Sequence, residues 1–311
     1  MSNSTIETTT SPVPLLGRLF LQEDLNFLLT NRIPRRLVTQ FMGWFSRLRN
    51  PLLARLSIGA WRRFAHVNLD EAASATFDSL HDCFIRELKA GARPVDPDPG
   101  VLVSPCDAIV GAHGRVDGDR LFQTKGFPYT LADLLVDPAL VARYRDGVYV
   151  TLRLTSGMYH RFHAPADLTV QRVTYVSGDT WNTNPIAVRR VEKLFCKNER
   201  AVIEAVIDGS RTAKPDAQPA EQQLVLVAVA SMLVASMRFT FLDVLLHLAY
   251  RGATVIPCQA QLRRGQQMGW FEMGSTIIVF APAAFALAPG LGDGRVIRMG
   301  QPLLRVPAAH P

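Results

Sequence analysis

Short β-branched and apolar runs, separated by turns rich in Gly, Pro and Asp, recur along the chain downstream of Leu88. Runs of this length and composition are typical of β-strands. The clearest are Val101 to Val103, Val148 to Leu154, Val170 to Val176, Ala201 to Ile207, Gln223 to Ala230 and Thr276 to Phe280. The sequence therefore predicts a β-rich domain over residues 89–311.

Four further segments of this domain have a distinct pattern. Leu131 to Tyr144 and Pro185 to Phe195 predict helices, the second with Asn184 as its N-cap and Pro185 at the tolerated first position. Leu224 to Met237 is apolar over 14 residues, too short to cross a bilayer, and is interpreted as buried strands. Asp208 to Glu221, rich in Ala, Asp, Pro and Gln, predicts a surface hairpin loop.

Residues 25–88 differ from the rest in both periodicity and charge. Apolar residues recur at helical spacing in two runs, which Asn50-Pro51 separates. Leu25 to Leu69 contains eight arginines and no acidic residue, whereas the rest of the chain is nearly balanced. The arginines are Arg32, Arg35, Arg36, Arg47, Arg49, Arg55, Arg62 and Arg63.

Arginines on the polar face of a helix, with Trp and Phe beside its apolar stripe, are typical of a helix that lies in a membrane interface. Residues 25–88 are therefore predicted to dock on an anionic membrane surface, and residues 1–24 to be disordered. A helix packed on the protein's own core stays open as an alternative. No recognition motif accompanies the charge, so nucleic acid is not expected as a partner.

Composition limits the remaining classes. A chain of 311 residues that is 48% hydrophobic can bury one large core, with or without a small satellite domain. Its four cysteines are scattered, which argues against zinc ribbons and disulfide frameworks and favours a reducing compartment. We find no convincing signal peptide or membrane-spanning segment.

Gly274-Ser275-Thr276 precedes the last apolar strand and has the features of a self-cleavage site. A serine hydroxyl can attack the carbonyl of the preceding residue through a five-membered ring, and glycine permits the strained backbone this requires. The peptide bond becomes an ester, whose elimination and hydrolysis leave a pyruvoyl group at the new N-terminus. Taken alone, the tripeptide fits equally a small-residue turn before a buried strand.

Two other motifs carry the groups such chemistry needs. Tyr159-His160-Arg161-Phe162-His163 contains two imidazoles, and Ser104-Pro105-Cys106-Asp107 places a carboxylate at a turn. Asp107, His163 and Ser275 would supply orienter, base and nucleophile, because triads are defined by geometry and not by chain order. The alternatives are a metal-binding or structural role for the histidines and a turn-forming role for Asp107. No third ligand accompanies the histidines, so no metal is expected.

Together these motifs resemble the phosphatidylserine decarboxylase family, in particular its bacterial membrane-associated type, from about Phe84 to Leu303. Besides the motifs above, the resemblance rests on Phe84 to Lys89, Arg93-Pro94, Lys125-Gly126, Tyr129 to Leu131, Asn198-Glu199-Arg200 and Gly300 to Leu303. The resemblance implies an α+β fold with a β-rich catalytic core and an N-terminal amphipathic, helical membrane-docking region.

The resemblance also implies a role for each site residue. Ser275 would be the pyruvoyl precursor, cleaved from Gly274. His163 would be the base of self-cleavage, oriented by Asp107, and His160 would assist decarboxylation of phosphatidylserine. The two cleavage products would stay associated at the cytoplasmic face of the bacterial membrane, and homo-oligomerisation stays open.

Two positions depart from the family pattern: Met273 replaces a leucine, and Ala108 replaces a glycine. Leucine to methionine conserves volume. Alanine at 108 would strain the turn that aims Asp107 if that position requires a positive φ.

The chemistry is consistent with the residues present. Loss of CO₂ from an α-amino acid leaves a carbanion that needs an electron sink, and a pyruvoyl group is one. No glycine-rich phosphate loop and no lysine in a pyridoxal-phosphate context supplies another. Two alternatives stay open: a pyruvoyl enzyme for another serine phospholipid or a soluble serine derivative, and a lipid-binding homologue that never cleaves.

Overall fold

The structure is a computed structural model that describes residues 23–31, 34–65, 67–122, 127–208, 223–233, 236–272 and 275–306. The predicted loop from Asp208 to Glu221 lies almost wholly outside these ranges. The described helices are α1 (Glu23–Asn31), α2 (Arg35–Phe45), α3 (Pro51–Ala65), α4 (Leu80–Phe84), α5 (Leu131–Leu135), α6 (Pro138–Tyr144), α7 (Pro185–Arg190) and α8 (Leu194–Lys197).

The strands number seventeen in the described residues. They are β1 (Val101–Val103), β2 (Ala108–Arg115), β3 (Arg120–Phe122), β4 (Pro128–Thr130), β5 (Val148–Leu154), β6 (Arg161–His163), β7 (Leu168–Val176), β8 (Arg200–Ile207), β9 (Gln223–Ala230), β10 (Ser236–Phe239), β11 (Leu245–His247), β12 (Val255–Leu262), β13 (Gln267–Phe271), β14 (Ser275–Ala281), β15 (Ala286–Leu287), β16 (Val296–Ile297) and β17 (Pro302–Arg305). All six runs predicted as strands are confirmed, and Leu224 to Met237 forms parts of β9 and β10.

An eight-stranded antiparallel sheet, in the order β12-β7-β8-β9-β14-β5-β2-β16, forms the centre of the fold. Its inner strand β14 is buried at all seven residues, and the apolar run from Ile277 to Ala281 suits a strand that is covered on both faces. A second sheet, in the order β11-β10-β13-β6, contributes Phe162, Phe239 and Phe271 to the core on one face. Helices α5 to α8 supply leucines and aromatic residues to the core on the other face.

The predicted helix from Leu131 to Tyr144 is wrong in one respect, because two helices occupy the segment. Val136 adopts a left-handed conformation with φ of 57° after α5. The Asp137 side chain then caps α6 by accepting from the Ala139 amide at 2.8 Å. Pro138 lacks the amide that would continue α5, so its ring starts a new helix instead.

The helix predicted after Asn184 starts where expected and ends early. The Asn184 side chain accepts from the Ala187 amide at 2.8 Å and Pro185 is the first helical residue. The helix stops at Arg190, and Lys193, with φ of 53°, separates it from α8. The α+β class is confirmed by this combination of sheets and short helices.

The two N-terminal helices predicted on either side of Asn50-Pro51 are present as α2 and α3. Met42 of α2 and Trp61 of α3 pack against the buried Phe84 of α4. Arg35 of α2 pairs with Asp179 at 2.5 Å. None of the described helices is long and apolar enough to cross a membrane. The proposed division into three domains stays a prediction.

Candidate active site

Ser275 is the first residue of β14, between Leu154 of β5 and Ala230 of β9. Its side chain is fully buried, and its hydroxyl has no hydrogen-bond partner in the described part of the chain. An unpaired hydroxyl in an apolar setting costs about 1–3 kcal/mol, so the position is unfavourable unless it serves a function. Gly274 and Met273 lie outside the described residues.

The strand register shows which way Ser275 faces. Cross-strand neighbours project from the same face of a sheet, and both Leu154 and Ala230 belong to the larger core cluster. Phe162 and Phe271 belong to the same cluster. The Ser275 hydroxyl therefore faces β6 and β13, and not the helices on the opposite side.

The two sequence-predicted histidines lie along β6 and just before it. His163 is opposite Gln267 in the pairing of β6 with β13, and the Phe271 amide donates to the His160 carbonyl at 3.0 Å. Both are thus fixed to the strand that leads into the cleavage segment. The sheet that contains β6 packs on the Ser275 face of the central sheet, and within the described residues no hydrogen bond joins the Ser275 hydroxyl to either ring.

His160 is held with one nitrogen available. Its Nδ1 lies 2.9 Å from the Met158 carbonyl, which can only accept, so Nδ1 carries the proton. The Phe84 ring packs against the imidazole at a centroid distance of 4.1 Å, with the two ring planes tilted by 35°. Nε2 is buried and has no partner among the described residues. Burial lowers the pKa of His160 to about 3, so the ring is neutral at pH 7.

His163 is also neutral at pH 7, because burial lowers its pKa to about 4. Its Nε2 lies 3.4 Å from the Tyr159 hydroxyl, and Nδ1 has no partner among the described residues. Its backbone amide donates to the Pro105 carbonyl at 2.8 Å. A neutral imidazole with a vacant nitrogen can act as a general base.

Asp107 is buried, and its carboxylate is engaged by a group that the sequence interpretation did not assign. Arg93 donates from Nε to Oδ1 at 2.8 Å and from Nη2 to Oδ2 at 2.5 Å, and the Met299 amide donates to Oδ1 at 2.9 Å. Within the described residues no hydrogen bond joins Asp107 to the His163 ring. The negative charge of Asp107 nevertheless raises the pKa of His163, against the larger lowering by burial. The expected orienter is close to the base but is paired elsewhere.

Ala108 does not strain the turn at Asp107. It is the first residue of β2, is fully buried and pairs with Ile297 of β16. Its φ is not among the positive values that the structure shows for non-glycine residues. Alanine in place of the family's glycine is therefore no obstacle to aiming the Asp107 side chain.

Glu272, two residues before Gly274, links the cleavage segment to the N-terminal helical region. Its carboxylate pairs with Arg47, which follows α2, and accepts from the Ser236 hydroxyl at 2.7 Å. His81 Nε2 of α4 lies 3.4 Å away. Burial opposes ionisation, but these contacts together outweigh it and lower the pKa of Glu272 to about 2.

Replacing Glu272 with glutamine should make the free energy of unfolding less dependent on pH in the acidic range. A folded-state pKa below the free value of 4.5 stabilises the fold above that pH, and the contribution is lost as the pH falls towards 2. We expect the variant to be less stable at pH 7 by up to about 3 kcal/mol and nearly equal to the wild type near pH 2. Urea unfolding at a series of pH values measures this. The exposed Glu192→Gln is the control, and a pH-independent difference would contradict the assignment.

Asn198 holds the end of β9 next to Ser275. Its Nδ2 donates to the carbonyls of Trp181 at 2.8 Å and Ala230 at 2.9 Å, and its Oδ1 accepts from the Trp181 amide. Ala230 is the neighbour of Ser275 in the sheet. The Asn198 side chain thus fixes the end of β9 where it borders the cleavage segment.

Glu199 accepts a hydrogen bond from the Tyr175 hydroxyl and is fully buried. Burial raises its pKa to about 7, and the Tyr175 bond opposes the shift. Arg200 donates to the carbonyls of Asp133, at 2.8 Å, and Leu134, at 2.8 Å. Asn198-Glu199-Arg200 is thus a buried hydrogen-bonding motif.

Sequence reasoning gave no role to Arg93, Tyr159 or Glu272, although all three lie within or beside the motifs that it singled out. Their partners are distant in the chain, so nothing in the spacing identifies them. Within the described residues, no three His, Cys, Asp or Glu side chains are placed to hold a metal ion.

Comparison with known proteins shows the family of this chain. A family model described as phosphatidylserine decarboxylase matches residues 80–305, well over half of the chain. The match places the chain in a class of carboxy-lyases. The chain belongs to the phosphatidylserine decarboxylase family, and the resemblance found in the sequence is confirmed.

Individual relatives cover nearly the whole length. A phosphatidylserine decarboxylase proenzyme of Dickeya dadantii is 32% identical over 296 residues, which are 90% of this chain and 91% of the relative. One of Anaeromyxobacter sp. (strain K) is 36% identical over 278 residues, 87% and 94% of the two chains. One of Haemophilus influenzae is 31% identical over 282 residues, 86% and 92%.

Proposed function

We propose that this protein is a pyruvoyl-dependent phosphatidylserine decarboxylase, which forms phosphatidylethanolamine and CO₂ after cleaving itself between Gly274 and Ser275. The observation that carries the proposal is the buried, unpaired hydroxyl of Ser275, which faces the strands that position two neutral histidines. Its relatives carry the word proenzyme in their names, which supports processing of a precursor.

Self-cleavage uses groups of this chain alone. His163 takes the proton of the Ser275 hydroxyl, whose oxygen attacks the Gly274 carbonyl and displaces the amide nitrogen. The amide nitrogen takes up a proton and becomes an amine. Elimination then removes the Cα proton of residue 275 and breaks its Cβ–Oγ bond, so the oxygen leaves as part of the Gly274 carboxylate and dehydroalanine remains at 275. Hydrolysis of dehydroalanine releases ammonia and leaves the pyruvoyl group.

The negative charge of Asp107 stabilises the protonated imidazole during this step. For its carboxylate to bond to His163, the ring must turn its vacant Nδ1 towards Asp107. Arg93 and the Met299 amide hold the carboxylate in place meanwhile. The two products remain associated because β14 is hydrogen-bonded to β5 and β9 on either side.

Residue 275 fits the pyruvoyl group, since its side chain is buried among apolar residues and forms no competing hydrogen bond in the described part of the chain. The group supplies the electron sink for the carbanion that forms when CO₂ leaves. The vacant Nε2 of His160 is the proton-transfer atom that serves this second reaction.

Release of labelled CO₂ from phosphatidylserine carrying the label in its serine carboxyl group tests the proposal. Purified protein should release it and form phosphatidylethanolamine, and the Ser275→Ala protein should do neither. Release from a soluble serine derivative, with none from phosphatidylserine, would favour the alternative substrate class. No release from either, with the chain uncleaved, would favour the lipid-binding homologue.

We further propose that α2 and α3 dock the enzyme on an anionic membrane surface, at the cytoplasmic face of the bacterial cell membrane. Exposed large apolar side chains support this, because they concentrate on these two helices. They are Leu37, Phe41, Trp44, Leu52, Leu53, Leu56 and Phe64. Scattered apolar residues are normal on a surface, but a contiguous set marks an interaction site.

The eight arginines of this region do not all contribute alike. Arg35 is paired with Asp179 and lies over the Trp181 ring at 3.8 Å, and Arg47 is paired with Glu272. These two attach the helices to the catalytic region. Arg49, Arg55, Arg62 and Arg63 are exposed and are the arginines that suit anionic lipid.

Replacing Arg49, Arg55, Arg62 and Arg63 with glutamine should weaken binding to vesicles of anionic lipid at least tenfold, since each basic residue contributes about 1 kcal/mol there. Vesicle sedimentation at increasing salt measures this. Activity should fall on vesicle-embedded phosphatidylserine and remain on a short-chain, water-soluble form.

The matched control replaces the exposed Arg120 and Arg145, outside the helical region, and should bind as the wild type does. Wild-type binding should fall as salt is raised, because screening shortens the Debye length. Equal losses of activity on both substrates would mean that the helices support the fold and do not dock the enzyme on the membrane.

A further inference from the structure

A cavity of about 600 Å³ adjoins the candidate active site where β5 and β9 end. Leu154, the β5 neighbour of Ser275, lines it, and so does Ser231, which follows the β9 neighbour of Ser275. Met42 of α2 and the α3 residues Trp61 and Phe64 form an apolar wall. The cavity therefore extends from the helical region to the strand ends that flank Ser275.

Arg153 of β5 brings a positive charge into this cavity. Its side chain is partly buried, and among the described residues it forms no hydrogen bond or ion pair. Burial lowers its pKa, and no neighbouring carboxylate opposes that shift. A partly buried guanidinium without a counter-ion is unfavourable, so the site suits an anionic ligand.

Thr276 adds a second unpaired group beside Arg153. The two residues are directly opposite in the pairing of β14 with β5, so their side chains project from the same face at about 5 Å. The Thr276 hydroxyl is buried and has no partner in the described ranges. Thr276 does not line the cavity, so the Arg153 guanidinium is the group that can meet a ligand, and its fork of donors is suited to the oxygens of a phosphate.

Two anions of a serine phospholipid could meet Arg153: the serine carboxylate and the phosphodiester. An ion pair with the carboxylate would stabilise the substrate and disappear as CO₂ leaves, which raises the barrier. A phosphodiester keeps its charge throughout the reaction. The cavity also matches the layout of a phospholipid, whose apolar chains and charged headgroup lie at opposite ends. Its apolar wall lies on the helical side, and the charge of Arg153 lies on the strand next to Ser275.

We infer that Arg153 binds the phosphodiester of the phospholipid substrate, with the α2–α3 wall receiving the acyl chains. The inference rests on the proposed function. It makes Arg153 a specificity-determining residue that distinguishes phospholipids from soluble serine derivatives.

The test measures binding of dihexanoyl phosphatidylglycerol to processed enzyme by calorimetry. This probe carries the phosphodiester but neither the carboxylate nor the amine of serine, so binding does not depend on decarboxylation. Arg153→Gln should weaken it about tenfold or more, and Arg153→Lys should weaken it less. Arg120→Gln is the matched control and should bind as the wild type does.

The same variant should raise KM for short-chain phosphatidylserine by a similar factor. If KM rises while affinity for phosphatidylglycerol is unchanged, Arg153 binds the carboxylate and the inference is wrong. Failure of the proposed function would appear differently, as wild-type enzyme that binds the probe and releases no CO₂.

Thermal unfolding of the ligand-free protein separates binding from a structural role. Because the guanidinium has no partner, Arg153→Gln should leave Tm unchanged or raise it, and self-cleavage should be complete. A Tm that falls by several degrees, or a variant that does not fold, would mean that Arg153 stabilises the protein and would overturn the inference.

Discussion

Ser275→Ala should leave the protein at its full length of 311 residues and without decarboxylase activity. The variant loses the only atom that can attack the Gly274 carbonyl in the proposed reaction, and no pyruvoyl group can form. The fold should persist, because the hydroxyl makes no hydrogen bond among the described residues and alanine suits the apolar surroundings. Electrophoresis and a CO₂-release assay measure the two losses.

Ser231→Ala is the matched control for this variant. Ser231 lies beside the neighbouring strand end and its hydroxyl donates to the Trp181 carbonyl at 3.2 Å. Its loss should leave cleavage intact. Cleavage of the Ser275→Ala protein at residue 274 would contradict the assignment of the nucleophile.

Substitution of the two histidines should separate the two reactions. His163→Ala should slow self-cleavage by about 10²- to 10⁴-fold, because the Ser275 hydroxyl loses its base. His160→Ala should still cleave but lose most of its decarboxylase activity, since its role begins only when substrate is bound. Quantifying cleaved chain and CO₂ release in the same preparations measures both effects.

Asp107→Asn keeps the shape of the side chain and removes its charge, so it should leave mostly uncleaved precursor. Arg93 also depends on this carboxylate, because its guanidinium donates a hydrogen bond to each of the two oxygens of Asp107. If His160→Ala blocked cleavage while His163→Ala did not, the two roles would have to be exchanged.

The strands of the catalytic core could be predicted closely from the sequence. β5 and β9 have the predicted bounds because each is a continuous β-branched and apolar run ended by turn residues. Local sequence also placed the start of α7, where Asn184 accepts the capping bond. It was less informative where α5 ends, since Val136 has no intrinsic preference for the left-handed conformation it adopts.

Long-range pairing could not be predicted in this way. The sequence predicted that Arg35 and Arg47 belong to a basic surface that faces the membrane. Arg35 instead pairs with Asp179, 144 residues further along the chain, and Arg47 pairs with Glu272, 225 residues further along. Arg93 was noticed only as part of a motif. Periodicity reports which face of an element is apolar, and it carries no information about which distant carboxylate meets a given arginine.

Part of the site was predictable because its chemistry depends on residue types at particular places. Ser275, His160 and His163 were singled out; Ser275 begins β14 of the central sheet, and the two histidines lie on β6 or just before it in the second sheet. Their catalytic roles stay predictions. Arg153 was not, because one arginine in an apolar strand has no distinctive spacing. Its lack of a counter-ion is visible only in three dimensions.

Intact-mass measurement of the purified wild-type protein tests the central claim most directly. Cleavage after residue 274 of 311 predicts two species of 274 and 37 residues. The smaller should be lighter, by one ammonia molecule, than the fragment that begins with unmodified Ser275, and it should resist Edman degradation. A single species at the full-length mass after long incubation at neutral pH, or a small fragment that retains an N-terminal serine, would contradict it.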